Sequence, residues 1–251
     1  LLKTGAYGLL RFCIPLFPEA SQAFAPVAMG LGVAGIIYGA ILAYAQSDFK
    51  SLVAYSSVIH KGYVLLGLNA WNTLALQGAI MQMVAHGVST AALFLMAGAL
   101  QQRLHPRDMG KMGGLWHQAP RMGGCAMFFA VASLGLPGLG NFVAEFLVLA
   151  GLFRVDPWIT ALAAIGLIVA AVYALWMMQQ AFQGKPDEAR QMADFGVREM
   201  TAMGAMMIAL LWLGLYPQPV FDLAQPVLDS LLPLLAGGDA APGLVVLEGR
   251  P

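Results

Sequence analysis

The feature of this sequence that most constrains its fold is an apolar run that is interrupted at its middle. The run covers residues 122–153 and has the length and composition of a membrane-spanning helix. Four residues in its middle disfavour a continuous helix: Gly135, Pro137, Gly138 and Gly140. Proline removes a backbone donor and clashes with the preceding turn, and glycine weakens a helix. The sequence therefore predicts a discontinuous membrane helix.

One carboxylate, Glu145, follows the interruption. Non-helical backbone is tolerated at membrane depth only where it is buried in protein or lines a cavity. An acid at such a depth is a candidate functional group, because a charge inside a bilayer is costly. The alternative interpretation is a packing kink that holds a neutral, hydrogen-bonded glutamic acid.

The remaining sequence has the composition of a protein built from such helices. Of its 251 residues, 59% are hydrophobic and 10% are charged, whereas soluble domains carry about 25% charged residues. The apolar runs are longer than the strands of a membrane β-barrel. We therefore expect an all-α fold, a polytopic transmembrane helix bundle. The formal net charge is zero, which leaves no basic footprint for nucleic acid.

Seven spans are expected, at about residues 1–17, 24–45, 51–68, 73–100, 122–153, 158–182 and 199–216. Residues 220–235 are expected to form an amphipathic helix at the membrane interface. These segments predict a transmembrane domain over residues 1–235 and a flexible tail over residues 236–251. The sequence starts without Met and within a span, so we interpret it as the C-terminal portion of a longer protein.

The charged residues of the loops predict the orientation in the membrane. Loops on one side are basic, with Lys50, Arg103, Arg107, Lys111, Arg121, Lys185, Arg190 and Arg198. Loops on the other side are mostly acidic, with Glu19, Arg154, Asp156, Asp222 and Asp229. Lys and Arg accumulate on the cytoplasmic side. We therefore expect a multi-pass protein of a bacterial cytoplasmic membrane with a periplasmic C-terminus.

Lys3 has two interpretations that depend on where its helix begins. If the span starts at Leu1, Lys3 is an interfacial lysine that snorkels to water. If the span continues upstream, Lys3 lies near mid-membrane and can exchange a proton. Tyr7 follows one helical turn later and is a candidate supporting polar group.

His60 and His86 lie on neighbouring expected spans. Three polar residues share helix faces with them and are candidate supporting groups: Ser57, Gln82 and Thr90. A single buried histidine is usually a packing residue, but two of them beside a buried acid favour a proton relay, since imidazole titrates near neutral pH. Lys61 points about 100° away from His60 around the helix, toward either a hydrated interior or the interface.

Taken together, these residues resemble a known family of membrane proteins. The matching stretches are residues 2–12, 45–60, 85–87, 107–109, 112–116 and 136–146. They resemble the antiporter-like, proton-translocating membrane subunits of respiratory complex I, an NADH-quinone oxidoreductase. Single stretches are shared with cation/proton antiporters and membrane-bound hydrogenases, but the full set in this order is specific. Residues 216–219 favour one subunit of the family over its sisters.

The resemblance implies roles for four residues. The family has fourteen spans with inverted repeats, so the seven spans here correspond to the eighth to the fourteenth. By this resemblance, Lys3 is the central lysine of the eighth span, His60 and His86 belong to the central hydrophilic axis, and Glu145 is the acid of the broken twelfth span. These residues form a proton relay in the family. Lys61 stands where the family leads us to expect an apolar residue.

The resemblance also implies partners and the absence of cofactors. Other membrane-arm subunits, including sister antiporter-like subunits, and the lipid bilayer are the expected partners, with no nucleic acid. We expect no cofactor and no metal in this chain, whereas the whole complex uses NADH, flavin, iron–sulfur clusters and quinone. One alternative is a subunit of a multisubunit cation/proton antiporter or a membrane-bound hydrogenase. Another is a structural membrane-arm subunit without a working channel.

Overall fold

A computed structural model describes residues 3–104, 108–185 and 192–235. In this part of the chain the protein is helical, and the β-type pairing found is an isolated bridge between Asp48 and Asp108. The expected all-α helix bundle is therefore confirmed. The tail predicted over residues 236–251 lies outside the described residues.

The elements follow one another in this order: α1 (Thr4–Gly8), a π-helical turn (Leu9–Cys13), α2 (Ile14–Leu16), α3 (Pro18–Tyr44), α4 (Phe49–Asn69), α5 (Thr73–Leu104), a 3-10 turn (Met109–Lys111), α6 (Leu115–Gln118), α7 (Pro120–Ser133), α8 (Gly140–Phe153), α9 (Pro157–Ala181), α10 (Val197–Leu215) and α11 (Gln218–Leu235). Helix α3 begins earlier than the sequence predicted. Pro18 occupies its first turn, where a proline costs no helical hydrogen bond.

Aspartate side chains fix where α4 and α9 begin. The Asp48 carboxylate accepts a hydrogen bond from the Ser51 amide at 2.7 Å. The Asp156 carboxylate accepts from the amides of Trp158 at 2.8 Å and Ile159 at 3.0 Å. Both acids satisfy amide groups that have no partner inside the helix, so each helix starts directly after its aspartate.

Four of the described helices are long and apolar enough to cross a membrane: α3, α5, α9 and α10. Helix α8 is a shorter apolar helix, and α7 and α8 are the two halves of the interrupted run. Large apolar side chains also cover outward-facing positions, such as Tyr38, Ile168 and Leu215. An apolar exterior around a packed interior is typical of a multi-pass membrane protein.

Helices α5 and α8 pack against each other in the middle of the bundle through small residues. A Cβ at Gly78 would lie 2.6 Å from the backbone nitrogen of Val148, and a Cβ at Gly151 would lie 2.6 Å from that of Ala75. Position 78 thus meets position 148 and position 75 meets position 151, so the two helices run antiparallel. Such backbone contact through small residues is characteristic of helices in membranes.

The predicted helix break lies at residues 134–139, between α7 and α8. Gly135 and Gly138 have φ angles of +81° and +94°, in the left-handed region that glycine adopts at little cost. Helix α10 covers the break, because a Cβ at Gly214 would overlap the carbonyl group of Gly138. One side of the break is therefore packed against protein, as a break at membrane depth requires, while Leu136 and Pro137 are exposed.

On the side of the basic loops, backbone hydrogen bonds join the α5–α7 connection to the α3–α4 connection and to the residue that follows α9. The Met109 amide donates to the Ser47 carbonyl at 2.8 Å, and the Trp116 amide donates to the Phe182 carbonyl at 3.0 Å. Nearby, Arg103 forms two hydrogen bonds with the Glu199 carboxylate, at 2.7 and 2.8 Å. These contacts hold the ends of α3, α5, α9 and α10 together at one face.

Candidate functional site

Four ionisable side chains from four segments form a row inside the bundle. Lys3 Nζ lies 2.9 Å from His86 Nδ1. The rings of His86 and His60 meet edge to face, with centroids 4.4 Å apart. His60 Nδ1 lies 2.7 Å from Glu145 Oε1. We refer to Lys3, His86, His60 and Glu145 as the polar row. The four residues chosen from the sequence as candidates are thus neighbours in the fold.

The inner part of the polar row is closed to the exterior. The exposed fractions of His60, His86 and Glu145 are 2%, 1% and 2%. These residues come from α4, α5 and α8, which pack against one another. Burial of three titratable groups in contact is costly unless they satisfy one another, so the arrangement requires the hydrogen bonds that join them.

Two uncharged side chains of α5 support the polar row. Gln82 Nε2 donates to Glu145 Oε1 at 2.9 Å and lies 3.1 Å from His60 Nδ1. Thr90 Oγ1 lies 2.7 Å from His86 Nδ1. Helical spacing explains both positions, because Gln82 and Thr90 are each four residues from His86 and share its face. Gln82 and Thr90 therefore contact the residues that the sequence suggested.

The helix break contacts the acid directly. A Cβ at Gly135 would lie 2.9 Å from Glu145 Oε2, so the carboxylate packs against the backbone of the break. One oxygen of Glu145 therefore meets His60 and Gln82, while the other faces Gly135. Of the four residues predicted to form the break, Gly135 carries this contact. Pro137 lies in the connecting segment, and Gly140 is the first residue of α8.

The Lys3 end of the polar row is more open. Lys3 lines a cavity of about 1030 Å³ between α1, α5, α10 and α11. Tyr7 and Arg11 line the same cavity, with apolar walls that include Met83 and Trp212. The row therefore runs from a partly accessible amine to a buried acid.

Two other predicted positions, Tyr7 and Ser57, have different surroundings. Tyr7 is 53% exposed and lies on the wall of the large cavity. Ser57 is buried, and its hydroxyl donates to the Val53 carbonyl of its own helix at 3.1 Å. Lys61 lines a separate cavity of about 220 Å³ with Gly5 and other residues of α1 and α4. Its side chain is partly exposed.

The sequence reasoning did not select Asn141, although the structure places it at the site. Asn141 is fully buried and its Nδ2 donates to Ser89 Oγ at 3.0 Å. A signal was available, since Asn141 precedes Glu145 by four residues and shares its helix face. Ser89 follows His86 by three residues on α5. The pair therefore adjoins the polar row on both helices.

The chemistry available at this site is the binding and release of protons. An amine, two imidazoles and a carboxylate each gain or lose one proton, and their neighbours are hydrogen-bonding groups. Within the described ranges, no group of three or more His, Cys, Asp and Glu side chains is arranged to hold a metal ion.

Comparison with known proteins connects this chain to a family. The sequence model of the family described as "NADH:quinone oxidoreductase/Mrp antiporter, TM" matches residues 1–172. Subunit M of NADH-quinone oxidoreductase from Pseudomonas aeruginosa is 50% identical over 244 residues, which are 94% of this chain and 48% of that protein. Subunit M from Escherichia coli K12 is 48% identical over 234 residues, 92% of this chain and 46% of that protein. The chain spans about half the length of these relatives.

Solved structures show the same fold. A chain of respiratory complex I from Thermus thermophilus with bound NADH superposes with a TM-score of 0.89 at 33% identity, covering 94% of this chain and 50% of that chain. A chain of the Mrp complex from Dietzia sp. superposes with a TM-score of 0.83 at 20% identity, covering 92% and 51%; this likeness concerns the fold alone. The resemblance drawn from the sequence is thus confirmed: the chain belongs to the NADH:quinone oxidoreductase/Mrp antiporter family of transmembrane proteins.

Proposed function

We propose that this chain forms the part of a membrane-arm subunit of NADH-quinone oxidoreductase that moves protons through the membrane. The observation that carries the proposal is the polar row, which connects a partly accessible lysine to a buried acid at a broken helix. The similarity to subunit M of that enzyme supports the assignment to this complex.

The row suggests an order of proton transfers. The Lys3 ammonium is in position to donate to His86 Nδ1 at 2.9 Å. Transfer from His86 to His60 crosses an edge-to-face ring contact, which a ring rotation or an intervening water completes. His60 then passes a proton to Glu145 over 2.7 Å. Each step joins groups that are within, or one rearrangement from, hydrogen-bond distance, as general acid–base transfer requires.

Movement of a charge along the row would change the electrostatic energy of the other members. In a low-dielectric interior, two unit charges about 4 Å apart interact by about 4 kcal/mol at an effective dielectric constant of 20. The His60 and His86 rings are that close. A charge change at one end therefore alters the proton binding of its neighbour, and this coupling can link proton movement here to redox chemistry in other subunits.

The proposal includes the setting of the protein. We place it in a bacterial cytoplasmic membrane, with the basic loops cytoplasmic and the C-terminus periplasmic. Its partners are other membrane-arm subunits, including sister antiporter-like subunits. NADH, flavin, iron–sulfur clusters and quinone act elsewhere in the complex, and this chain contributes the side chains that carry protons.

The test is Glu145→Gln in the full-length subunit within its assembled complex. We expect NADH-driven acidification of inverted membrane vesicles and coupled quinone reduction to fall at least tenfold, because an amide cannot bind and release the proton. Glu19→Gln is the matched control, since Glu19 is an exposed acid in the first turn of α3. Assembly is checked by the amount of intact complex in the membrane.

The outcomes separate the proposal from its alternatives. Wild-type pumping in an assembled Glu145→Gln complex would show that the acid is outside the proton path. Loss of assembly without a change in pumping per complex would favour a structural subunit. Proton movement that persists without NADH and requires a sodium gradient would favour a cation/proton antiporter, since the family description also names the Mrp antiporter.

A further inference from the structure

The side-chain amide of Gln82 has hydrogen-bonding partners at one end only. Gln82 is 0% exposed, and its Nε2 lies 2.9 Å from Glu145 Oε1 and 3.1 Å from His60 Nδ1. Its Oε1 is buried and has no hydrogen-bond partner among the residues that the structure describes. A buried carbonyl oxygen without a donor is unfavourable. Gln82 therefore carries an unused acceptor on the same amide that contacts two members of the polar row.

Asn72, just before α5, shows how an amide with one fixed orientation differs. Its Nδ2 donates to two backbone carbonyls, and its Oδ1 accepts from a backbone amide, each at 3.0 Å. Backbone groups have a fixed polarity, so exchange of the nitrogen and oxygen of Asn72 would break all three hydrogen bonds. Exchange of the two ends of the Gln82 amide loses nothing at the Oε1 end. The group at its other end, Glu145, therefore decides the orientation of this amide.

The polarity that Glu145 requires from the amide depends on whether the acid holds a proton. A carboxylate only accepts hydrogen bonds, so it favours the NH2 group of the amide. A carboxylic acid has an O–H group that needs an acceptor, which the amide carbonyl provides. Rotation about the last side-chain bond of glutamine exchanges these two groups with little change of shape, and this rotation has two broad minima. The amide of Gln82 can therefore turn within its packed site.

The contact with His60 adds a second reason for such a turn. His60 Nδ1, Gln82 Nε2 and Glu145 Oε1 all lie within 3.1 Å of one another. With an ionised Glu145, both nitrogens donate to the carboxylate oxygen. When Glu145 Oε1 and His60 Nδ1 both hold protons, three donors meet, and the acid proton has no acceptor among these atoms. A turned amide places its carbonyl oxygen there and accepts from either group.

We propose that the Gln82 amide turns with the protonation state of Glu145, presenting its NH2 group to the carboxylate and its carbonyl to the carboxylic acid. This role rests on the proposed function, because it concerns the proton transfer between His60 and Glu145. Gln82 is a positioning residue, since its amide holds the proton of Glu145 in place but does not carry it. The turn separates the acid from His60 once the proton has been transferred.

The transfer balances within these three side chains. His60, protonated at both nitrogens, gives up the proton on Nδ1: the N–H bond breaks, and its electron pair stays on Nδ1. A lone pair of Glu145 Oε1 forms the new O–H bond. Donation of this O–H to Nδ1 leads back to the starting state. Donation to the turned Gln82 carbonyl keeps the proton on Glu145, because an amide oxygen is too weak a base to remove it.

Infrared difference spectroscopy of the Gln82 side-chain carbonyl tests the proposal. The complex with the full-length subunit is purified with isotope-labelled glutamine, and spectra at acid and alkaline pH are subtracted. The part of the glutamine signal that responds to Glu145 is the part that disappears in Glu145→Gln, since the glutamine introduced there does not titrate. Loss of the same signal in Gln82→Met assigns it to Gln82.

We expect protonation of Glu145 to lower the frequency of the Gln82 carbonyl stretch, because a carbonyl without a partner becomes a hydrogen-bond acceptor. An amide that keeps its orientation predicts no change or a rise in frequency, since its N–H group then donates to a weaker acceptor. An unchanged or higher frequency in the wild-type complex would overturn the proposal.

Coupled quinone reduction provides the second measurement. Gln82→Met has a similar length without hydrogen-bonding groups and should slow coupled turnover about tenfold. Gln77→Met is the matched control on α5: Gln77 bonds to Gln225 outside the polar row, so turnover should stay within about twofold of wild type. Wild-type turnover in an assembled Gln82→Met complex would also overturn the proposal.

Two further outcomes have defined meanings. If Gln82→Met does not assemble, the glutamine signal of the wild type that Glu145→Gln removes decides alone, by the direction of its frequency change. Normal pumping in Glu145→Gln would refute the proposed function. Lost pumping in Glu145→Gln beside an unshifted Gln82 carbonyl in the wild type would refute only the turn of the amide.

Discussion

A single methyl group at position 135 is expected to disturb the Glu145 carboxylate without unfolding the protein. In Gly135→Ala, the new Cβ would lie 2.9 Å from Glu145 Oε2. An ordinary contact begins near 3.4 Å, so the carboxylate must move by about 0.5 Å. Its other oxygen is held by His60 at 2.7 Å and Gln82 at 2.9 Å, and this movement strains both hydrogen bonds.

The size of the effect follows from two separate costs. Alanine at the φ of +81° found for Gly135 costs about 1–2 kcal/mol in backbone conformation. Misplacement of a reacting group by about 1 Å can cost about 100-fold in rate. For about half that displacement we expect coupled proton pumping to fall about tenfold, with a modest loss of thermal stability.

Gly138→Ala is the control that separates the two costs. Gly138 has a similar φ, +94°, but a Cβ there would meet nothing within 4 Å. Both variants should lower the unfolding temperature of the purified complex by similar amounts. NADH-driven acidification of inverted vesicles should fall sharply in Gly135→Ala alone. Equal pumping by the two variants would refute the idea that the contact between Gly135 and the carboxylate positions the acid.

Two further predictions concern packing and charge. Gly78→Ala would place a Cβ 2.6 Å from the backbone of Val148 and should destabilise the protein by about 1–3 kcal/mol. In the control Gly87→Ala, the new Cβ meets nothing within 4 Å, so the unfolding temperature should stay unchanged or rise slightly. A lower unfolding temperature in Gly87→Ala than in Gly78→Ala would contradict the packing of α5 on α8. Lys3→Met should abolish pumping because Lys3 begins the polar row. Lys61→Met should keep pumping within about twofold of wild type, since Lys61 lines a different cavity. Equal losses of pumping in Lys3→Met and Lys61→Met would place Lys61 in the row.

The sequence predicted best what depends on local chemistry. The break could be predicted because glycine and proline act on their own segment of chain, and positive φ angles at Gly135 and Gly138 are the result. The four members of the polar row were selected because ionisable groups are rare in apolar spans. The choice of candidates did not require knowledge of which helices touch.

The contacts themselves could not be predicted, because they depend on how helices pack. Glu145 meets Gln82 only in the register that the small residues of α5 and α8 allow, and single-helix periodicity contains no information about that register. The same limit applies to Asn141, whose partner Ser89 belongs to another helix. Tyr7 follows Lys3 by one helical turn and lines the same large cavity, and periodicity could not predict this because the face that α1 turns inward is decided by its neighbours.

The π-helical turn between α1 and α2 has a consequence for the first contact of the row. A π turn inserts one residue relative to α-helical register, so it offsets the helix on its two sides by about 100°. If Leu9–Cys13 returned to α-helical geometry, Lys3 would rotate around the helix axis by that angle. Its amine would then lose its contact with His86 Nδ1. A change in the phase of one helix, with no change of fold, would therefore connect or disconnect the lysine from the histidines.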